Sequence, residues 1–475
     1  MYWLVFLALH GLLTVAACLD ILLHYRRPTS AVAWLYTVAT LPVIGVTVYL
    51  AFGVYRGTHK IRRHRRRARA MRRNREQHSE SAEAIYRRGF DRPGFAALMT
   101  RTCAFQMSRG NAITLLDVDS VALARQMECI ADAKREVVLS TYILAPGQIQ
   151  RMLFEALAGA ARRGVVVRLL VDGFGSYRLT LRVLRELGQS GAEWRFFQQP
   201  NPLRGRIQIN FRNHRKTLLI DGQVAFTGGR NWSDDYYSCA PGSTFCDTSF
   251  EVRGPVLTAM RRVFYEDWAL ADGATEPPQI KGIAGIRPVT GGNMAIRALP
   301  GGLDEPSDDM ATVLGGAFRG ARHSILIVTP YFAPEPRVYD ALRLAALSGV
   351  DVRVLAPLNS DRRTIDLAAR TCYRGLMKAG VRVWLRPMPF LHSKAIVVDD
   401  AWATVGSVNF DARSMALNFE LNLEIVDAAF ARRLRASFDD DFAVSSELDA
   451  TEFCQRPPFT QRLLENAAAL FAPIL

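Results

Sequence analysis

At 475 residues the chain is too long for one typical domain and ample for two sizeable hydrophobic cores. Its net charge of +15 suggests nucleic acid until it is located: Arg56 to Arg75 holds eleven Lys and Arg and no acid, which leaves only +4 elsewhere and excludes a broadly basic body. The seven cysteines are scattered and odd in number, so neither a disulfide framework nor a Cys-based metal site is expected, and a reducing, cytoplasmic setting is the default.

Tyr2 to Leu23 is apolar apart from His10 and Asp20, and Ala31 to Val54 carries no charge; each is long enough to cross a bilayer. They predict an N-terminal transmembrane hairpin over residues 1–56, turning at Arg26-Arg27-Pro28. Buried core helices are an alternative that two such runs in tandem disfavour. Val15-Ala16-Ala17-Cys18 resembles a lipoprotein cleavage site, but no Lys or Arg precedes the apolar run, which argues against a cleaved signal. Pro42-x-x-Gly45 predicts a kink in the second run, and an interfacial hairpin that never fully crosses stays open. The basic residues after Val54 put both ends of the hairpin, and with them the body of the chain, on the cytoplasmic side of the membrane, opposed weakly by Arg26 and Arg27. The basic segment 57–94 would also lie against anionic lipid headgroups, at about 1 kcal/mol per Lys or Arg near the surface. A solvated run that only fixes topology is equally open.

From about Phe95 the pattern turns globular. Glu136 to Leu144 reads as a strand, Gln150 to Arg163 as a helix, Val165 to Asp172 as a buried strand, Tyr177 to Gly188 as a helix and Trp194 to Phe197 as a strand. The second half repeats this plan at Ser324 to Thr329, Arg337 to Ala346, Val350 to Ala356, Ile365 to Ala379 and Val381 to Leu385. The reading is an α/β domain duplication, 95–278 and 279–475. Gln279 to Arg297 and Pro300 to Asp309 have loop composition and connect the halves. Phe459 to Leu475 predicts a helix with an apolar face, docked on its own domain or touching membrane.

Two stretches organise the body. Asn213 to Asn231, NHRKTLLIDGQVAFTGGRN, and Leu391 to Asn409, LHSKAIVVDDAWATVGSVN, both read His-x-Lys-x4-Asp-x6-Gly-(Gly/Ser)-x-Asn, with equivalent positions 178 residues apart. In a strand, residues i and i+2 share a face, so His214 with Lys216, and His392 with Lys394, present an imidazole beside a cation. Asp221-Gly222 and Asp399-Asp400 read as hairpin turns. Small residues at 228, 229, 406 and 407 would let the backbone and the Asn231 and Asn409 amides approach a bound anion.

Of eight histidines only His214, His323 and His392 follow residue 80, too few for a conventional His-based metal centre. His323 has no partner pattern and reads as a surface or capping residue. Two imidazoles converging on one phosphodiester can divide the work. One attacks phosphorus to give a phospho-histidine; the other protonates the leaving alkoxide and then deprotonates the incoming alcohol. Lys216, Lys394, Asn231 and Asn409 can stabilise the non-bridging oxygens, so no metal and no cofactor are expected. His214 is the expected nucleophile, although nothing in the sequence distinguishes the two.

The duplicated motif resembles the phospholipase D superfamily. Thr329-Pro330-Tyr331-Phe332, Asn409-Phe410-Asp411-x-Arg413-Ser414 and Leu417-Asn418-Phe419-Glu420-Leu421-Asn422-Leu423, with the two apolar N-terminal segments, resemble its bacterial cardiolipin synthase branch. The resemblance implies two α/β-sandwich domains in a pseudo-twofold pair with the site at their interface. It implies a catalytic set of His214, Lys216, Asp221, His392, Lys394 and Asp399, with Asp247 and Glu420 orienting the histidines; which acid serves which histidine is open. Where relatives carry Trp-Arg before the first acid, this chain has Phe245-Cys246. The implied reaction is phosphatidyl transfer between two phosphatidylglycerols through a phosphatidyl-histidine, giving cardiolipin and glycerol, with membrane phospholipids as partners. A hydrolytic phospholipase D, or a transferase using another headgroup, shares the motifs. A nucleic-acid enzyme is disfavoured by the apolar segments and the confined charge, so no nucleic-acid partner is expected, and a non-catalytic scaffold leaves two intact motifs unexplained. Oligomeric state is not readable.

Overall fold

The computed structural model describes residues 2–24, 28–41, 43–53, 82–198, 211–237, 244–273, 286–302 and 309–471. In the first half the strands are β1 (Ser108–Leu116), β2 (Glu136–Thr141), β3 (Val166–Asp172), β4 (Glu193–Phe197), β5 (Thr217–Ile220), β6 (Val224–Gly228) and β7 (Ser249–Arg253). The second half supplies β8 (Met294–Gly301), β9 (Ser324–Val328), β10 (Asp351–Pro357), β11 (Arg382–Arg386), β12 (Ala395–Val398), β13 (Trp402–Gly406), β14 (Glu420–Val426) and β15 (Ser446–Glu447).

β2, β3 and β4 run parallel, as do β9, β10 and β11, because each pair is joined by a helix: Gln148–Arg162, Leu181–Gln189, Pro336–Leu347 and Arg363–Met377. Each motif forms an antiparallel hairpin, β5–β6 or β12–β13, paired on one side to β2 or β9. The two half-sheets are not separate. They join through antiparallel β1 and β8 into one 15-stranded sheet, ordered β15-β11-β10-β9-β12-β13-β14-β8-β1-β7-β6-β5-β2-β3-β4.

One hydrophobic cluster spans the seam, with Val138, Leu170, Phe250 and Ile296 beside Leu326, Val397, Leu423 and Phe430. The other face of the first half buries Leu139, Leu153, Leu157, Val167 and Leu169, and that of the second half Ile325, Ile327, Val352, Val354 and Trp402. β8 begins inside the stretch whose composition reads as connector. Its stability comes from neighbours on both sides, which a local pattern does not register.

Residues 82–102 precede the first half in sequence but pack on the second. Helices Ala82–Gly89 and Phe95–Thr102 bring Ile85, Tyr86, Phe90, Phe95 and Met99 into the core around Trp402. There the buried Glu424 accepts from Tyr86 Oη at 2.5 Å and Trp402 Nε1 at 2.8 Å, with Arg297 at 3.4 Å. Residues 82–94, grouped by sequence with the basic segment, thus belong to the globular body.

At the N-terminus one helix spans Tyr2–His24, and the second apolar run is broken into Pro28–Thr40, Ile44–Val48 and a π-helical turn at Tyr49–Gly53. The break falls at the expected Pro42-x-x-Gly45, where a Cβ on Gly45 would lie 2.2 Å from the Thr37 carbonyl oxygen. Ala17 and Ile21 pack on Val38, Val46 and Tyr49, and Tyr49 Oη donates to Asp20 at 2.7 Å. Among the described residues no helix is long and apolar enough to cross a membrane, so the two expected transmembrane helices are not shown. The basic run Arg56 to Arg75 lies outside the described residues. The C-terminal helix Phe459–Phe471 docks on its own domain, its buried Glu465 pairing with Arg370 at 2.9 Å and with Arg374.

Candidate active site

The two motif hairpins carry their histidines at one end and their aspartates at the other. Asp221, in the turn at φ 53°, accepts from the backbone N–H groups of Lys134 at 2.9 Å, Arg135 at 2.7 Å and Glu136 at 2.8 Å. Asp399 does the same with Arg322 at 2.9 Å, His323 at 2.7 Å and Ser324 at 2.9 Å, and also pairs with Arg92. Seven residues of extended chain, about 23 Å at the usual rise, separate each aspartate from its motif histidine. The placement of Asp221 and Asp399 in a catalytic set is therefore corrected. They staple the hairpin turn to the start of β2 or β9 and do not reach the reacting atoms.

The histidines are oriented across the seam of the duplication. His214 N–H donates to the Phe419 carbonyl at 2.8 Å and Phe419 N–H to the Arg212 carbonyl at 2.8 Å, which sets Glu420 beside the ring. His214 Nδ1 then lies 2.9 and 3.0 Å from the two Glu420 oxygens. In the other half Phe390–Leu391 pairs in parallel with Phe245–Cys246, His392 N–H donates to the Cys246 carbonyl at 2.7 Å, and His392 Nδ1 sits 2.6 Å from Asp247 Oδ2. Each acid serves the histidine of the opposite half. The Phe245-Cys246 departure is tolerated here because the pairing uses backbone groups.

With Nδ1–H donated to a carboxylate, each Nε2 keeps its lone pair. Both rings are buried. Burial, the largest cause, lowers the His214 pKa to about 4 against the pull of Glu420, and burial followed by Lys394 lowers that of His392 to about 3. Burial would raise the two acids. His214 and Lys216 nevertheless hold Glu420 below the usual carboxylate range, and Lys394 and His392 do so for Asp247. Lys216 Nζ donates to the His214 carbonyl at 2.8 Å and is lowered by burial to about 7. Lys394 Nζ donates to the His392 carbonyl, lies 3.4 Å from Nε2 and 2.9 Å from Nδ1, and is lowered by burial to about 8. The shorter, charge-assisted contact with Asp247 assigns the Nδ1 proton, so Lys394 acts there as a nearby charge. Lys394 also lowers His214, and Lys216 lowers His392, which places both half-sites in one electrostatic environment.

The small motif residues make room for the acids. A Cβ on Gly229 would lie 2.3 Å from Asp247 Oδ2, and at the equivalent position Ser407 Oγ donates to Glu420 Oε2 at 2.5 Å. Asn231 is committed to protein partners: its amide donates to Tyr236 Oη at 2.9 Å and accepts from Ile143 N–H at 3.2 Å. Asn409 Oδ1 is buried without a hydrogen-bond partner among the described residues. His323 gives its N–H to the Asp399 staple and takes no place at the site.

This arrangement can be set beside known proteins. A family model described as "Cardiolipin synthase, PLD-like domain" matches residues 127–268 and 316–442, and one described as "Phospholipase_D-nuclease N-terminal" matches 12–53. The cardiolipin synthase of Geobacillus kaustophilus is 32% identical over 472 residues, covering 96% of this chain and 91% of its own. The major cardiolipin synthase of Bacillus subtilis is 31% identical over 482 residues, covering 99% of each. The chain belongs to the cardiolipin synthase family. Among solved structures, the phosphatidylserine synthase of Haemophilus influenzae superimposes with a TM-score of 0.60 at 16% identity, over 76% of this chain and 95% of that one, which shows a shared fold.

This cardiolipin synthase family member also surrounds its histidines with rings that the motif reading missed. Tyr142 lies edge-on to His214 at 4.9 Å, and Tyr236, Phe245 and Tyr331 stand edge-on to His392 at 5.2, 5.6 and 6.4 Å. Thr141 and Thr329 end equivalent strands, and each Thr Oγ1 donates to the carbonyl two residues on, at 3.0 and 2.9 Å. Aligning the halves there sets Ile143 opposite Tyr331 and Tyr142 opposite Pro330, so the repeat carries no signal for Tyr142.

The depressed histidine pKa values carry a stability consequence. Between the unfolded value near 6.5 and the folded values of about 4 and 3, the unfolded chain binds protons that the folded site refuses. Stability present above pH 6.5 is therefore lost as pH falls toward 4. Denaturant unfolding at pH 7.5 and 5 is expected to show this loss, and the His214→Ala, His392→Ala double variant a shallower one; equal slopes would contradict neutral buried imidazoles.

Proposed function

We propose that this protein is a cardiolipin synthase that moves a phosphatidyl group from one phosphatidylglycerol to another. The observation that carries the reading is the pair of crossed couples, His214–Glu420 and His392–Asp247, in one electrostatic environment with Lys216 and Lys394. His214 Nε2 attacks phosphorus as the bond to the glycerol oxygen breaks, and protonated His392 gives that oxygen its proton. Glycerol leaves, and a phosphatidyl group remains on Nε2. His392 then takes the proton from the free glycerol hydroxyl of a second phosphatidylglycerol, whose oxygen attacks the adduct and restores His214. In the empty site burial and the lysines keep His392 neutral; an incoming phosphodiester anion reverses the local field and favours the imidazolium. Lys216 and Lys394 stabilise the charge on the non-bridging oxygens. Asn231 contributes there only by releasing Tyr236.

Hydrolysis would use the same residues, with water as acceptor. The names of the curated relatives favour transfer. Purified full-length protein incubated with labelled phosphatidylglycerol is expected to yield diphosphatidylglycerol and one glycerol per product, at a rate unchanged by EDTA. Phosphatidic acid as the main product would contradict transfer, and a loss of rate restored by one particular divalent ion would contradict the lysine clamp.

The N-terminal helices are proposed to seat the enzyme in the inner membrane as a hairpin with both ends in the cytoplasm, Arg56 to Arg75 lying on anionic headgroups. The outward-facing apolar side chains Tyr2, Trp3, Leu12 and Leu23 of the helix Tyr2–His24 support membrane seating. A cysteine placed near the C-terminus of a variant lacking the native thiols should resist an impermeant maleimide in intact cells and react once the inner membrane is opened. Labelling with only the outer membrane permeabilised would reverse the topology.

A further inference from the structure

The histidines and three loops leave the sheet at one edge. β5 runs against β2 with Thr217 opposite Ser140, and β12 against β9 with Ala395 opposite Val328, so His214 and His392 lie beyond the C-terminal ends of the parallel strands. The segments that follow β3, β10 and β11 emerge at that same edge. Each carries, within two residues of its strand end, a large apolar side chain left in solvent: Phe174, Leu358 and Met388. Tyr177, 78% exposed, extends the first of them.

These segments are built against the site. A Cβ on Gly175 would lie 2.4 Å from the Tyr142 carbonyl oxygen, so the loop bearing Phe174 and Tyr177 packs on the residue that stands edge-on to His214. In the second half Leu358 N–H donates to the Arg386 carbonyl at 2.7 Å. Met388 leads in two residues to Phe390, whose ring centre is 5.9 Å from that of His392. Each histidine therefore has an apolar projection beside it. Single exposed apolar side chains are ordinary, but a group of them on both sides of one entrance marks a surface that is covered in use.

The charge around them points to the cover. Residues 174–186 and 358–366 carry five arginines against Glu186, Asp361 and Asp366, a positive excess with every acid of these segments counted. Apolar tips within a basic surround match an anionic bilayer, where the rings and alkyl chains enter the acyl boundary and the guanidinium groups stay among the headgroups. The transfer reading supplies the need: both lipids keep their acyl chains in the membrane while their phosphates reach the histidines. We infer that Phe174, Tyr177, Leu358 and Met388 form one rim, drawn from both halves, that seats the entrance of the active site in an anionic bilayer. This docking of the catalytic body is distinct from attachment by the N-terminal helices, and its choice of partner rests on the transfer reading.

The C-terminal helix presents a rival apolar stripe in Phe459, Leu463 and Leu470, so the two surfaces can be tested against each other. In a His214→Ala background without native thiols, which leaves the lipid unconverted, Tyr177→Cys, Met388→Cys or Leu463→Cys is labelled with an environment-sensitive fluorophore. The full-length protein is then placed in nanodiscs of phosphatidylglycerol and phosphatidylcholine. Labels at positions 177 and 388 are expected to be quenched by spin labels on the acyl chains and shielded from iodide, and the label at 463 the reverse. In parallel, Tyr177→Glu with Met388→Glu is expected to lower diphosphatidylglycerol formation in vesicles at least tenfold, while turnover of monomeric dibutyryl phosphatidylglycerol changes less than twofold. Rim labels open to iodide, a label at 463 that enters the acyl layer in their place, or equal loss on both substrates would overturn the assignment. Shielding that grows with protein concentration at fixed lipid would give the rim to a second copy and overturn it too. Rim labels in the acyl layer, with no diphosphatidylglycerol made by the unmodified enzyme, would support the rim and overturn only the transfer reading.

Discussion

Alanine at either motif histidine is expected to lower phosphatidyl transfer by at least about 10³-fold, or ~4 kcal/mol of barrier, while leaving the protein folded. Attack on phosphorus and protonation of the leaving alkoxide are separate tasks. No other side chain at the site can take over either one: Lys216 and Lys394 donate to the carbonyls of the very histidines they flank, and Asn231 is tied to Tyr236 and Ile143. Turnover by His214→Ala or His392→Ala within about tenfold of the unmodified rate, only ~1.4 kcal/mol, would contradict the division of labour.

Loss of either orienting carboxylate is expected to cost about 10²- to 10⁴-fold, because a histidine without its acid loses both its tautomer and its imidazolium stabilisation. The crossed pairing adds a sharper expectation. With a p-nitrophenyl ester of phosphatidic acid as donor, the leaving group needs no proton, so general acid catalysis is dispensable in the first step. His392→Ala and Asp247→Asn should then still release an initial burst of p-nitrophenol, whereas His214→Ala and Glu420→Gln should not. Were each acid to serve its own half, Asp247→Asn would instead behave like His214→Ala.

Much of this was legible in the sequence, for identifiable reasons. The paired motifs gave the histidines and lysines because strand alternation fixes which residues share a face, and the βαβ rhythm gave the parallel strands. Three things were not legible. The crossing of Glu420 to His214 and Asp247 to His392 depends on short backbone pairings between the halves, Arg212–His214 with Phe419 and Phe390–His392 with Phe245–Cys246, and contacts 145 or 206 residues apart leave no local signature. The docking of residues 82–102 onto Trp402 is hidden because a short amphipathic helix looks the same whichever core it joins. The role of Gly229 was legible as smallness but misread in its cause, since the space it leaves is filled by the Asp247 carboxylate rather than by substrate.

The most direct test of the account is to locate the covalent intermediate. Enzyme turning over phosphatidylglycerol labelled in its acyl chains, quenched in alkali where phospho-histidine persists, digested and analysed by mass spectrometry, is expected to carry a phosphatidyl group on His214 and none on His392. Label on His392 alone would exchange the roles of the two crossed couples. Diphosphatidylglycerol formed at full rate with no adduct on either histidine would contradict the mechanism itself.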